Sequence, residues 1–126
     1  MTWMEAVPNF SEGRDLKRVE AIAQAMREVV GVHVLHVDPE RDTNRTVITL
    51  MGKPTALEEA LFRGIRCSLE LLDLRKHVGS HPRMGAADVV PFVPWGEGVD
   101  MADAVASAHR LGERVGSELG LPGWYY

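Results

Sequence analysis

An α+β domain is expected from three features of this sequence. Short β-branched segments sit beside polar turns, three longer stretches carry apolar residues at helical spacing, and the elements run β-α-β-β-α-β and then α-β. The first six elements in that order match a ferredoxin-like split β-α-β sandwich, with an added C-terminal helix and strand. Helices would then cover one face of a largely antiparallel sheet. The other face has no helix left to cover it and, if apolar, calls for a partner.

The first strand is expected at about Trp3–Val7, stopped by Pro8, with Asn9–Gly13 as a turn. Leu16, Val19, Ile22, Ala23, Met26 and Val30 then recur at helical spacing, with Asp15 placed to cap the helix and Gly31 to end it. Val32–Asp38 reads as a strand, Pro39–Thr43 as a turn and Arg45–Met51 as an antiparallel partner strand. Pro54 opens the second helix, Thr55 through Glu58 fits a capping box, and Leu57, Leu61, Ile65, Leu69 and Leu72 form its buried stripe. Helicity should fail near His77–Gly79. Asp88–Val93 returns as a strand, and Pro91 and Pro94 mark it as an edge or bulged one, because proline donates no amide hydrogen bond. The third helix is expected over about Met101–Leu119, with Val105, Ala108, Leu111 and Val115 inward, and a last short strand includes Trp124–Tyr126.

A length of 126 residues suits a single domain spanning the chain, large enough to bury a core without staples. Cys67 is the one cysteine, so no internal disulfide forms, which permits a reducing cytoplasm. No apolar run approaches the roughly 20 residues that span a bilayer, and the N-terminus does not read as a secretory signal. A cytoplasmic protein with no membrane partner is the expectation. The formal net charge of −4 argues against nucleic acid as a partner. Within this acidic chain the stretch from Arg75 to Ala87 holds Arg75, Lys76, His77, His81 and Arg83 and no carboxylate.

That stretch is the strongest candidate for chemistry. Pro82 biases His81 towards an extended backbone, and Gly79 and Gly85 allow close approach to a ligand. Histidine titrates near neutral pH, which suits acid/base work. A solvated basic turn fits the same spacing. His77 and His81 also stand at helical zinc spacing, but Gly79 and Pro82 argue against a continuous helix there and no third ligand lies close, so no metal site is assigned. A second group is Asp38 with Asn44 and Arg45. Alternation would place Val34, His36 and Asp38 on one face of their strand, where a carboxylate can orient a histidine or meet a cationic substrate; turn capping is the plainer role. A third is the Val7–Gly13 turn, whose polar side chains, Asn9 and Ser11 among them, can reach a ligand beside the first strand.

Three stretches together are more specific than any single motif: Val7-Pro8-Asn9-Phe10-Ser11-Glu12-Gly13, Asp38 with Asn44-Arg45-Thr46-Val47, and His77 through Pro94. On these the chain resembles the N-terminal subdomain of glutamate formimidoyltransferase, also called formiminotransferase, along nearly its whole length. The resemblance implies transfer of a formimino group from N-formimino-glutamate to tetrahydrofolate in histidine breakdown. It implies two related ferredoxin-like subdomains with the ligands between them, His81 in the His-Pro-Arg motif as the catalytic histidine, and Asp38 in the same active site. Departures are His36, where an aspartate is common, and Gly123-Trp124 in place of a more aliphatic strand.

The chemistry so implied gives each candidate a role. His81 takes the proton of the attacking pteridine amine and returns one to the departing glutamate nitrogen. Asp38 orients that imidazole or stabilises the cationic amidine, and the sequence does not choose between them. Arg83 or Arg45 clamps a substrate carboxylate, with Asn44, Asn9, Ser11 and Gly85 as further substrate contacts. Tetrahydrofolate is the acceptor co-substrate, no residue here is assigned to holding it, and no metal is required. The folate-binding half would come from a second subdomain, so the expected partners are small-molecule substrates with either a second copy in a two-fold homodimer or a separate second-subdomain partner. The rival reading is a non-catalytic module binding a folate or another acidic ligand.

Overall fold

The computed structural model describes residues 3–72, 87–89, 92–95 and 101–119. Its strands are β1 (Trp3–Ala6), β2 (Asn9–Phe10), β3 (Val32–Glu40), β4 (Arg45–Gly52), β5 (Ala87–Val89) and β6 (Phe92–Trp95). Its helices are α1 (Leu16–Arg27), α2 (Pro54–Leu72) and α3 (Met101–Leu119). The expected strand at Trp124–Tyr126 and the expected loss of helicity near His77–Gly79 lie outside the described residues.

Pro8 interrupts the first strand rather than ending it. Ala6 stands opposite Leu50 and Asn9 opposite Val47 on β4, so β1 and β2 keep one register along the same neighbour. The Pro8 carbonyl still accepts the amide of Ile48 at 3.1 Å, although Pro8 itself has no amide to give. Asn9 and Phe10 are therefore strand residues, not turn residues as the sequence suggested. β5 pairs with β2 and β6 with β1, again antiparallel, and β3 pairs with the other side of β4. Across the sheet the order is β3, β4, the β1–β2 line, then β6 with β5. The chain between β1–β2 and β3 carries α1 past β4, and the chain between β4 and β5 carries α2 past the β1–β2 line. Both passages leave an antiparallel strand between the strands they connect.

The helices share one face of this sheet. Met4, Ala6, Phe10, Ile48 and Leu50 from the strands are buried with Ile22 and Met26 of α1, Leu57, Leu61 and Ile65 of α2, and Leu111 and Val115 of α3. Gly64 lies where α1 and α2 meet: a β-carbon there would stand 2.7 Å from the Met26 sulfur and 3.4 Å from the Phe10 ring, so a larger residue would require the Met26 side chain to shift.

Helix ends follow local chemistry. Asp15 caps α1 as expected, its side chain accepting from the amides of Lys17 and Arg18 at 3.0 and 3.3 Å. Gly31, at φ +89°, turns the chain into β3. The α1 stripe is narrower than its periodicity suggests. Leu16 and Val30 are exposed, and Val29 is buried where Val30 was expected, because the helix ends at Arg27 before the pattern does. Pro54 is the first residue of α2, so Thr55 already lies inside the helix and the expected capping box does not form; the Lys53 carbonyl accepts the Leu57 amide at 2.8 Å. Glu58 turns to α3 instead. Its carboxylate accepts from Ser107 Oγ at 2.8 Å and from Arg110 Nη2 at 2.7 Å. Glu59 bonds Arg114, whose guanidinium carbon stands 3.8 Å from the Phe62 ring centroid. Beside this ionic seam α3 presents a slightly different face from the expected one. Ala104 and Ser107 turn inward with Leu111 and Val115, and Val105 is half exposed.

Candidate functional site

The sheet face opposite the helices is built by alternation. Along the first strand line Trp3, Glu5, Val7 and Asn9 point away from the core, and Val47, Thr49 and Met51 do so on β4; all are half-buried. Among the described residues no helix covers them.

On β3 the alternation breaks at one residue. Val34 stands opposite Leu50, and His36 opposite Thr49, so the register shifts by one and Leu35 is left without a partner. The expectation that Val34, His36 and Asp38 share a face is therefore wrong. Val34 packs against the helix-side core, whereas His36 and Asp38 sit on the uncovered face opposite Thr49 and Val47. Without the bulge, strict period two would send the Asp38 carboxylate into the apolar core, which is costly for an unpaired charge. The bulge brings Asp38 into one row with Asn9, the two flanking Val47. At the usual strand spacing that separates their backbones by about 10 Å, room for a small ligand between the side chains.

The end of this row is held by a tight polar junction between the 11–15 segment and the β3–β4 turn. Asn44, at φ +54°, accepts the Gly13 amide on its Oδ1 at 2.9 Å. A β-carbon at Gly13 would lie 2.3 Å from the Glu40 carbonyl oxygen and 2.4 Å from that of Arg45. Thr46 Oγ1 donates to the Glu12 carbonyl, and Arg14 Nε to the Arg41 carbonyl at 2.9 Å. Asn44 thus has the turn-shaping contact that its residue type suggested, and its side-chain oxygen is engaged there. Arg45 is exposed and stands opposite Glu40, and Ser11 is half-buried just beyond β2.

His81, Arg83 and Gly85 lie outside the described residues. The strand that follows them does not: Ala87 pairs with Phe10 and Val89 with Asn9, beside the Asn9–Asp38 row. The structure therefore brings Asn9, Asp38, Asn44, Arg45 and Ser11 to one end of the sheet, and leads the chain after the His-Pro-Arg motif into the strand bordering that end. Glu12 was passed over in the sequence. A glutamate in a polar turn carries no sign that it will be buried, and here it is only 6% exposed.

These features define an α+β domain with one sheet face closed by helices and the other left open, among the described residues, beside a polar end. Residues 3–126 match the family described as formiminotransferase domain, N-terminal subdomain, and the chain belongs to that family. It is 45% identical over its full length to a glutamate formimidoyltransferase of Thermoplasma acidophilum, covering 41% of that protein. It is 43% and 44% identical over 98% of its length to formimidoyltransferase-cyclodeaminases of Dictyostelium discoideum and Rattus norvegicus, covering 23% of each. The chain thus spans less than half the length of these relatives. Among the described residues no helix is long and apolar enough to cross a membrane.

Proposed function

We propose that this chain provides the formimino-substrate half of a folate-dependent formimidoyl transferase, moving the formimino group of N-formimino-glutamate to tetrahydrofolate in histidine breakdown. The observation that carries this reading is the Asn9–Val47–Asp38 row on the uncovered sheet face, in a chain matching the formiminotransferase subdomain from residue 3 to 126. The strand order, with each helical connection passing one antiparallel strand, supports the ferredoxin-like arrangement expected of such a subdomain.

The substrate brings a cationic amidine and carboxylates. Asp38 is exposed at the row and supplies negative charge for the amidine or an acceptor for the His81 imidazole. His81 precedes Ala87 by six residues. An extended chain of that length spans at most about 20 Å, a tether long enough to permit His81 to reach the row. As the new C–N bond forms, His81 takes the proton from the attacking secondary amine, and it returns a proton to the glutamate nitrogen as the old C–N bond breaks. Arg83 or Arg45 holds a substrate carboxylate, with Asn9, Ser11, Asn44 and Gly85 beside it. Tetrahydrofolate enters as acceptor, and this chain's residues are assigned to the formimino donor only. The one thiol, Cys67, suits a reducing cytoplasmic setting.

The open face also supports a partner, either a second copy in a two-fold dimer or a separate second subdomain that brings the folate contacts. The chain alone should then show little or no turnover, and robust turnover by a verified monomer would overturn that part. In an active assembly His81→Ala should lower turnover by at least about 10²-fold, the scale of a lost acid/base group. Near-normal turnover would remove His81 from the mechanism.

A further inference from the structure

We infer that the buried carboxylate of Glu12 is a positioning residue that holds the ligand-facing end of the sheet in register, a role that rests on the formimino-substrate reading above. Glu12 is not among the proposed substrate contacts. Its side chain is 8% exposed, and both its oxygens are engaged. Oε2 accepts the backbone amides of Arg14 and Asp15 at 3.1 and 3.0 Å, and Oε1 accepts from Arg18 Nη1 at 3.3 Å. Its own carbonyl accepts the hydroxyl of Thr46, itself 1% exposed. One residue thus ties three parts together: the start of α1, the segment that continues β2 through Ser11, and the start of β4.

Two of those parts, the segment after β2 and the start of β4, carry proposed contacts. Ser11 directly precedes Glu12, and Asn9 lies three residues before it. Thr46 stands between Arg45 and Val47, and Val47 is the residue that Asn9 and Asp38 flank. Gly13, next in sequence, is pressed onto the backbone of Glu40 and Arg45 and donates to Asn44. A carboxylate is a costly group to bury for capping alone, since Asp15 already caps α1 from a more exposed position. Its value is geometric, because only a two-oxygen acceptor at this place can take two amides on one side and a guanidinium on the other.

The chemistry also predicts how the site fails and how it recovers. Glu12→Gln keeps an oxygen for the Arg14 and Asp15 amides but turns an NH2 group towards Arg18, donor against donor. Glu12→Gln combined with Arg18→Gln restores a donor and an acceptor across that contact. Glu12→Ala removes both arms.

The test is titration of the chain with N-formimino-glutamate, followed by NMR, with melting temperature measured on the same samples. Glu12→Ala should weaken binding about tenfold to hundredfold, the scale of a small displacement of positioning groups. Glu12→Gln should weaken it less, and the double variant should recover most of the loss. Glu58→Ala, which loosens the α2–α3 seam away from this end, should lower the melting temperature and leave affinity unchanged. If Glu12→Ala lowers the melting temperature but binds within about twofold of the unaltered chain, well under 1 kcal/mol, Glu12 is structural only and the inference fails. If Glu12→Ala does not fold, the Gln variant and its partner-swapped double decide by the same criterion. If Asn9→Ala and Asp38→Asn also bind normally, or the unaltered chain does not bind at all, the site reading has failed and takes this inference with it.

Discussion

The two faces of this sheet are made by the same strands, one residue apart, and they do opposite things. On one face Met4, Ala6, Phe10, Ile48 and Leu50 meet three helices and are almost wholly excluded from water. On the other, Glu5, Asn9, Thr49, His36 and Asp38 stand among Trp3, Val7, Val47 and Met51, and no described helix covers them. Alternation makes both faces, but it does not determine what either is for. The helix side needs only volume and apolarity. The open side carries groups whose value lies in where they point, and the Leu35 bulge decides that for His36 and Asp38.

The largest effect should come from the closed face. Leu61 is fully buried at the centre of α2, and Leu61→Ala should cost about 2–5 kcal/mol in urea unfolding. Val47→Ala, on the open face, should cost about 1 kcal/mol or less, because less apolar area leaves water there. Equal losses at the two sites would mean that the open face is covered in solution, as a two-fold dimer or a second subdomain would do. Light scattering across a concentration series would then separate self-association from a monomer.

Function should follow the reverse order. Asp38→Asn keeps size and removes charge from an exposed position, so stability should change little, while turnover of an active assembly should fall by about tenfold or more, within the range of positioned charged groups. Unchanged kinetics would place the site elsewhere. The smallest effect concerns pH. Burial pushes the Glu59 carboxyl up, but hydrogen bonds and charge from Arg114 and Arg63 outweigh it and hold it below the ordinary carboxylate range. A lowered folded value means that its contribution is present above the ordinary range and is lost as pH falls through that lowered value. Thermal melts of the unaltered chain should therefore fall more steeply below about pH 4 than those of Glu59→Gln. Parallel curves would show that the α2–α3 seam does not depend on this charge.

Much of this architecture was legible in the sequence, for identifiable reasons. Spacing located all three helices, because each buries one stripe, and Asp15, Pro54 and Gly31 punctuate their ends by local chemistry that needs no tertiary context. Errors came where tertiary packing overrode a local pattern. Val30 and Val105 continue an apolar period but fall beyond or beside the packed face, and Thr55 and Glu58 fit a cap in a helix that begins one residue earlier. On β3 and β4, Val32, Val34, Val37, Ile48 and Leu50 turn to the helices, leaving Val47 and Met51 on the open side. That face mixes these with Trp3 and Val7 from the first strand and with polar Glu5, Asn9 and Thr49. Within the site, Asp38, Asn44 and Arg45 were legible as a group because one turn joins them. Their nearness to Asn9 was not, since it depends on β4 lying between β2 and β3 and on a bulge that no residue type announces. Glu12 was hidden for a simpler reason: burial of a turn carboxylate is decided by Thr46 and Arg18, which are distant in sequence or on the next helix.

In the proposed function the open face binds the formimino donor. The most direct measurement is an amide-resolved NMR titration of the chain with N-formimino-glutamate. Shifts concentrated at Asn9, Ser11, Asp38, Arg45 and Val47, with α1 and α3 unmoved, are the predicted result. Shifts confined to the helix layer, or none at millimolar ligand, where even a binding free energy of about 4 kcal/mol would show, would contradict it.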